Sequence, residues 1–177
     1  MKKAENVCKK TKQLSKKAEK VYHGFDIVCD SDCRVLILGS FPSVKSREEN
    51  FYYAHPQNRF WKVLSSVLND NFVGLTANEK KEKLLCHHIA LYDVITSCDI
   101  IGSSDSSIKN PTYLDIDEIL KNSKIEKIFL NGNKAYELFI KKFPQYIGMT
   151  AKMPSTSPAN AKCSLDGLVE EWKKIKI

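Results

Sequence analysis

RVLILGSFPS, residues 34–43, is the stretch on which the reading of the fold turns. From Arg34 to Leu38 it is a short run of β-branched and other apolar side chains, the composition of a strand buried in a sheet. Gly39-Ser40 ends the run, and GSFPS follows as a loop at the strand's end. Gly tolerates unusual backbone angles and Ser bonds nearby amides, so GSFPS reads either as an ordinary tight loop or as a ligand loop. It lacks the GxxxxGK[ST] arrangement, so a nucleoside triphosphate is not implied.

The segments downstream continue the pattern. Phe60 to Leu68 repeats Phe60, Trp61, Leu64, Val67 and Leu68 at helical spacing, and Lys80 to His88 opens another helix. Ile89 to Ile95, IALYDVI, and Lys127 to Leu130, KIFL, have strand composition, the second ending at the Asn131-Gly132 turn signal. Asn133 to Lys142 returns to helical spacing. After the loop MPSTSPAN, residues 153–160, Leu165, Leu168, Val169, Trp172 and Ile175 form one apolar stripe of a last helix. Strands alternating with helices predict an α/β domain: three α/β/α layers around a mainly parallel four-stranded sheet. In such folds the functional loops gather beyond the carboxyl ends of the strands, which brings Gly39, Asp93, Asn131 and the 153–160 loop together.

The chain has 177 residues, 42% of them hydrophobic, enough for one domain with a sizeable core. No apolar stretch approaches a membrane span and no signal-peptide pattern opens the sequence, which predicts a soluble intracellular protein, in cytoplasm or nucleoid if prokaryotic. Of the formal charge of +7, nearly all sits in residues 1–20, with eight Lys and two Glu, leaving 20 basic and 19 acidic residues elsewhere. The expected organisation is therefore a lysine-rich arm, 1–20, and one domain, 21–177. Ala4, Val7, Thr11, Leu14, Ala18 and Val21 recur at helical steps, so the arm reads as a solvated tail or as a lysine-faced helix that contacts phosphate.

Six cysteines are scattered without disulfide or zinc spacing, and no metal, iron-sulfur cluster or other cofactor is expected. HExxH, GxSxG and the HxE with PCxxC of zinc deaminases are all missing. His87 and His88, adjacent on a helix, point apart, and His55 reads as a local hydrogen-bonding element as readily as a functional one. Pro154 and Pro158 stiffen a loop whose Ser155, Thr156, Ser157 and Asn160 offer small donors, suited to a phosphate or to a capped connection. Asp93 stands at a strand end where a ligand donor is within reach, whereas Asp99 and Asp105 are expected to face solvent.

Five segments together carry a resemblance: GSFPSVKS at 39–46, YYAHPQNRFW at 52–61, LYDVITSCDIIGSSDSSI at 91–108, FLNGNKA at 129–135 and MPSTSPAN at 153–160. In this order they resemble the uracil-DNA glycosylase superfamily, and most closely its hypoxanthine-DNA, or deoxyinosine, glycosylase branch. The resemblance implies a parallel four-stranded sheet flanked by helices and a pocket for an everted base. It implies a monomeric enzyme of base excision repair that acts on double-stranded DNA containing a deaminated base. Where relatives carry a catalytic asparagine or aspartate before Pro42, this chain has Phe41, which has no polar group to orient water. The hypoxanthine branch points instead to Asn58, expected to orient water and oppose charge through its side-chain carbonyl.

On the same resemblance Tyr53 stacks on the base, a contact worth roughly 1–3 kcal/mol. Gly39, Ser40, Phe41 and Asp93 line the base site, while Ser43, Ser46, Arg59, Ser155, Thr156, Ser157 and Asn160 face DNA. Adenine carries an amino donor where hypoxanthine has a carbonyl acceptor, and an unpaired buried polar group costs about 1–3 kcal/mol, so polar groups around the base edge can discriminate. Uracil removal and a nonenzymatic DNA-binding domain are the competing readings.

Overall fold

The computed structural model describes residues 18–176. The chain runs through β1 (Glu19–Tyr22), β2 (Val35–Gly39), α1 (Val44–Glu48), α2 (Phe60–Leu68) and α3 (Ala77–Cys86). It continues through β3 (Ile89–Asp93), β4 (Ile95–Ile100), β5 (Lys109–Tyr113), α4 (Ile116–Lys121), β6 (Lys127–Asn131), α5 (Asn133–Lys142), β7 (Thr150–Met153) and α6 (Leu165–Trp172). β2 is buried along its whole length because it lies inside a parallel sheet of order β3-β2-β6-β7, with Leu36 opposite both Ala90 and Ile128.

The two-residue period of the strands divides the core. Val35, Ile37 and Phe129 face one side, against Phe60, Leu64 and Val67 of α2, Leu84 of α3, and Leu168 and Trp172 of α6. Leu36, Leu38, Ile128 and Leu130 face the other, against Ile116 of α4 and Ala135 and Phe139 of α5. Each large side chain buried this way contributes about 1.5–3 kcal/mol, so both helical layers are fixed to the sheet and the three-layer expectation holds. α2 ends where Asn69 takes the left-handed conformation, φ 54°.

Three elements depart from the sequence reading for identifiable reasons. α3 starts at Ala77 rather than Lys80, because the Thr76 side chain accepts from the Glu79 amide while Glu79 reaches back to the Thr76 amide, a capping box. IALYDVI does not run as one strand: Val94 donates its amide to the Gly39 carbonyl, 2.9 Å, and the chain turns into β4 of a second, antiparallel sheet β1-β4-β5. Val21, expected on the helical face of the arm, lies instead in β1 opposite Cys98. The remainder of the arm expectation, residues 1–17, lies outside the described residues.

From β2 the chain first builds β3 on one flank and later β6 on the other. The connections therefore diverge above β2, and the carboxyl ends of the parallel strands, Gly39, Asp93, Asn131 and Met153, lie along one edge of the sheet, where Asp93 borders one cavity and Asn131 and Met153 border its neighbour.

Candidate active site

Gly39 is required by what lies against it. A Cβ there would collide with Asp93 Oδ1 and come within 3.1 Å of the Tyr53 hydroxyl, so the absent side chain admits the carboxylate to the strand end. Tyr53 itself sits at φ 51°, a left-handed conformation that costs a non-glycine residue about 1–3 kcal/mol. Its ring is stacked on Phe60, centroids 3.9 Å apart and planes at 26°, and the residue lines the cleft. The Tyr53 hydroxyl is buried without a hydrogen-bond partner. Burial, reinforced by the Asp93 carboxylate, pushes its pKa upward, so the phenol stays neutral.

Asp93 is 5% exposed and meets His23, 3% exposed, through Nε2···Oδ2 at 2.9 Å. His23 Nδ1 lies 2.9 Å from the Phe25 carbonyl, which only accepts, so Nδ1 carries a proton. The Nε2···Oδ2 bond needs a second one. The pair thus holds a shared proton, either as imidazolium with carboxylate or as neutral imidazole with carboxylic acid. In both arrangements Oδ1 remains an acceptor, and no hydrogen bond from the described residues reaches it. His23 lies 70 positions from Asp93 and has no signature of its own in the sequence.

Asn58 is oriented by a chain of bonds whose direction is set by backbone amides. The Thr156 amide donates to Asn131 Oδ1, 3.0 Å, which turns Asn131 Nδ2 toward Thr156 Oγ1, also 3.0 Å. The Thr156 hydroxyl proton therefore goes to Asn58 Oδ1, 3.0 Å, which also accepts from the Phe60 amide, 3.0 Å. Both lone pairs of the Asn58 carbonyl are filled, so the expected action through that carbonyl is corrected: what Asn58 offers the cleft is its NH2 group, a donor.

The residues expected to grip DNA divide into two groups. Thr156, 0% exposed, is buried in the chain just described. Arg59 donates to the carbonyls of Ser157, 3.0 Å, Asn160, 2.8 Å, and Cys163, so its guanidinium clasps the 157–163 loop instead of reaching outward. Ser46 is buried and accepts from the Ala54 amide, 3.3 Å, bracing the Tyr53 segment, while Asn160 Nδ2 closes the loop onto the Ser155 carbonyl, 2.9 Å. Ser43, the N-cap of α1, borders the cleft, Ser155 borders a neighbouring groove, and Ser157 borders both.

Ser40, Phe41, Tyr53, Asn58, Asp93 and Asp105 line a single cleft of about 400 Å³. Residues 25–175 match the sequence profile of the uracil DNA glycosylase superfamily. The chain belongs to the uracil DNA glycosylase superfamily. A hypoxanthine DNA glycosylase of Methanosarcina acetivorans is 34% identical over 160 residues, 88% of this chain and 98% of that one. One from Methanosarcina barkeri is 32% identical over 116 residues, 64% of this chain and 73% of its own length. The solution NMR structure of a candidate uracil DNA glycosylase from Methanosarcina acetivorans has a TM-score of 0.73 at 28% identity, covering 92% of this chain and 99% of that one. The protein is accordingly a DNA glycosylase, a hydrolase of deaminated bases in DNA.

In this glycosylase Phe41 has a packing role. It is 8% exposed, joins Ile95, Cys98 and Ile100 beneath the antiparallel sheet, and lies 5.6 Å from the Arg47 guanidinium. Arg47 in turn donates to the Pro42 carbonyl, 2.6 Å, fixing the GSFPS turn. Asp105, expected to face solvent, instead turns into the glycosylase cleft, where the Ser40 hydroxyl donates to its Oδ1 at 2.8 Å. Burial raises its pKa above the ordinary carboxylate range, against the opposing pull of the Ser40 hydrogen bond. A serine-rich loop concealed this aspartate in the sequence, since nothing local tells that the loop folds back over β2.

Proposed function

We propose that this glycosylase is monofunctional and hydrolyses the N-glycosidic bond of hypoxanthine in deoxyinosine, in double-stranded DNA. The observation that carries the reading is the free Oδ1 acceptor of Asp93, held over Gly39 beside the Tyr53 hydroxyl in the cleft that both residues line. Hypoxanthine has an N1–H donor to match that acceptor, whereas adenine presents a lone pair at N1, and two acceptors facing each other in a buried site cost about 1–3 kcal/mol. The two relatives, both hypoxanthine DNA glycosylases, support the same choice of base.

In this scheme the everted purine stacks on Tyr53, whose own backing by Phe60 keeps the plate in place. As the bond to the sugar lengthens, electron density moves onto the purine. The Asn58 NH2, fixed by Thr156 and the Phe60 amide, donates to that growing negative charge without having to reorganise. The phosphate track is the groove of about 740 Å³ beside the cleft, bordered by Ser155, Ser157, Lys134, Lys152 and Lys162. Those three lysines were not singled out by the sequence reading, and they supply the cations that a duplex backbone requires.

A panel of duplexes carrying inosine, xanthosine or uracil tests the substrate, with released base measured under single turnover. Rapid release of hypoxanthine is expected. Release of uracil with none of hypoxanthine would overturn the assignment, and tight binding with no base released would make the protein a DNA-binding domain without chemistry.

A further inference from the structure

We propose that Asp105 is a catalytic residue of this glycosylase, the carboxylate that takes the proton of the attacking water. The proposal rests on the glycosidic reading above, but not on which base leaves. It begins from an inventory of lone pairs in the cleft. Asn58 has none free on its carbonyl. His55 Nδ1 accepts from the Gln57 amide, 3.2 Å, which leaves Nε2 as the protonated nitrogen of the neutral ring, a donor. The Ser40 hydroxyl gives its proton to Asp105, and its remaining lone pairs, those of a neutral alcohol, are too weakly basic to take a proton from water. Asp93 Oδ2 is tied to His23, and its Oδ1 lies over Gly39 beside the Tyr53 hydroxyl, at the floor where the base edge is read. Asp105 keeps one oxygen, Oδ2, that no described residue bonds.

Position points the same way. Asp105 borders both the base cleft and the groove of Ser155, Lys134 and Lys152, and Ser157 shares that boundary. A nucleotide with its base in the first and its phosphates along the second has its deoxyribose at the junction. Asp105 therefore stands beside C1′, on a loop far in sequence from Phe41 but bonded to the residue next to it.

The step balances within these groups. A water lone pair forms the O–C1′ bond as the C1′–N9 bond breaks, and that bond's electron pair leaves with the purine. The O–H proton passes to Asp105 Oδ2, leaving an abasic sugar with a C1′ hydroxyl. The carboxylic acid then returns its proton to solvent or to the purine anion, which restores the enzyme. The desolvated setting of Asp105 favours this use, because a carboxylate whose pKa is raised is a better proton acceptor.

Asp105→Asn preserves the shape and the acceptor for Ser40. Single-turnover release of hypoxanthine from an inosine duplex is expected to fall roughly 10²–10⁴-fold, the usual size of a general-base contribution, with duplex Kd essentially unchanged. The wild-type rate should decline on the acid side in proportion to proton concentration, and that limb should vanish in Asp105→Asn. The charged and titratable groups facing Asp105 are Asp93, Lys134, Tyr53 and Cys98. An acid limb that persists in Asp105→Asn would belong to another group of the cleft and would overturn the proposal.

Asp105→Ala should regain rate on addition of formate, which a purely structural role would not produce. Asp99→Asn, altering a carboxylate that accepts from Asn110 outside the cleft, should leave the rate unchanged. If Asp105→Asn excises within about threefold of wild type, a loss far below that of a general base, the proposal is wrong while the glycosylase reading stands. If wild type releases uracil but no hypoxanthine, the substrate reading fails and the same variants decide the role of Asp105 on uracil.

Discussion

The cleft has two walls built on opposite principles. On one, Asn131, Thr156 and Asn58 form a neutral chain in which the direction of every hydrogen bond is dictated by a backbone amide at each end. On the other, His23 with Asp93 forms a buried titratable pair, and Ser40 bonds the partly buried carboxylate of Asp105. The first wall holds its geometry whatever the pH. The second changes with the position of a proton. A site that separates charge benefits from both: donors that need not reorganise, and a carboxylate whose affinity for a proton is tuned by burial.

The largest expected effect lies on the ionisable wall. His23→Ala leaves Asp93 buried without its partner, and the loss should be about 3–5 kcal/mol of unfolding free energy, measured by denaturant titration. A loss near zero would mean that water replaces the imidazole and that the pair does not brace the site. Next comes the neutral wall. Asn58→Ala should lower single-turnover excision about 10²–10³-fold, the cost of removing one fixed donor to a developing anion. Its acid limb should superimpose on that of wild type. A shifted limb would show that the two walls do not act separately.

The smallest effect is one of stability, and its sign opposes the catalytic one. An acid whose folded-state pKa lies above its unfolded value stabilises the fold below the unfolded value, and that contribution is lost as pH rises through the folded value. Burial raises Asp105 in this way. Asp105→Asn removes the liability, so it should melt above wild type near neutral pH and converge with it as the carboxyl becomes protonated. A melting difference that stays constant between about pH 4 and 7 would show that Asp105 is not held in a desolvated state.

Much of the scaffold was legible because local pattern and tertiary fate agreed. β2 read as a buried strand and is one; α2 and α5 occupy the spans their spacing predicted, Phe60–Leu68 and Asn133–Lys142. The strand ends Gly39, Asp93 and Asn131 were expected to converge, and the parallel topology accounts for that. The hidden part consists of partners distant along the chain. His23 reaches Asp93 only because β1 pairs with β4 and leads the chain past β3. Arg59, beside Asn58 in an exposed-looking segment, turns inward because the carbonyls of Ser157, Asn160 and Cys163 converge on its guanidinium. Thr156, read as a surface donor, is swallowed by two asparagines that no local pattern connects to it.

The Arg59 clasp also ties two parts of the site to one anchor. The clasp joins the loop 157–163 to the first turn of α2, and Asn58 immediately precedes Arg59 at that turn. The loop that borders the groove and the amide that lines the cleft are therefore held by the same guanidinium, so a displacement of the one is felt at the other.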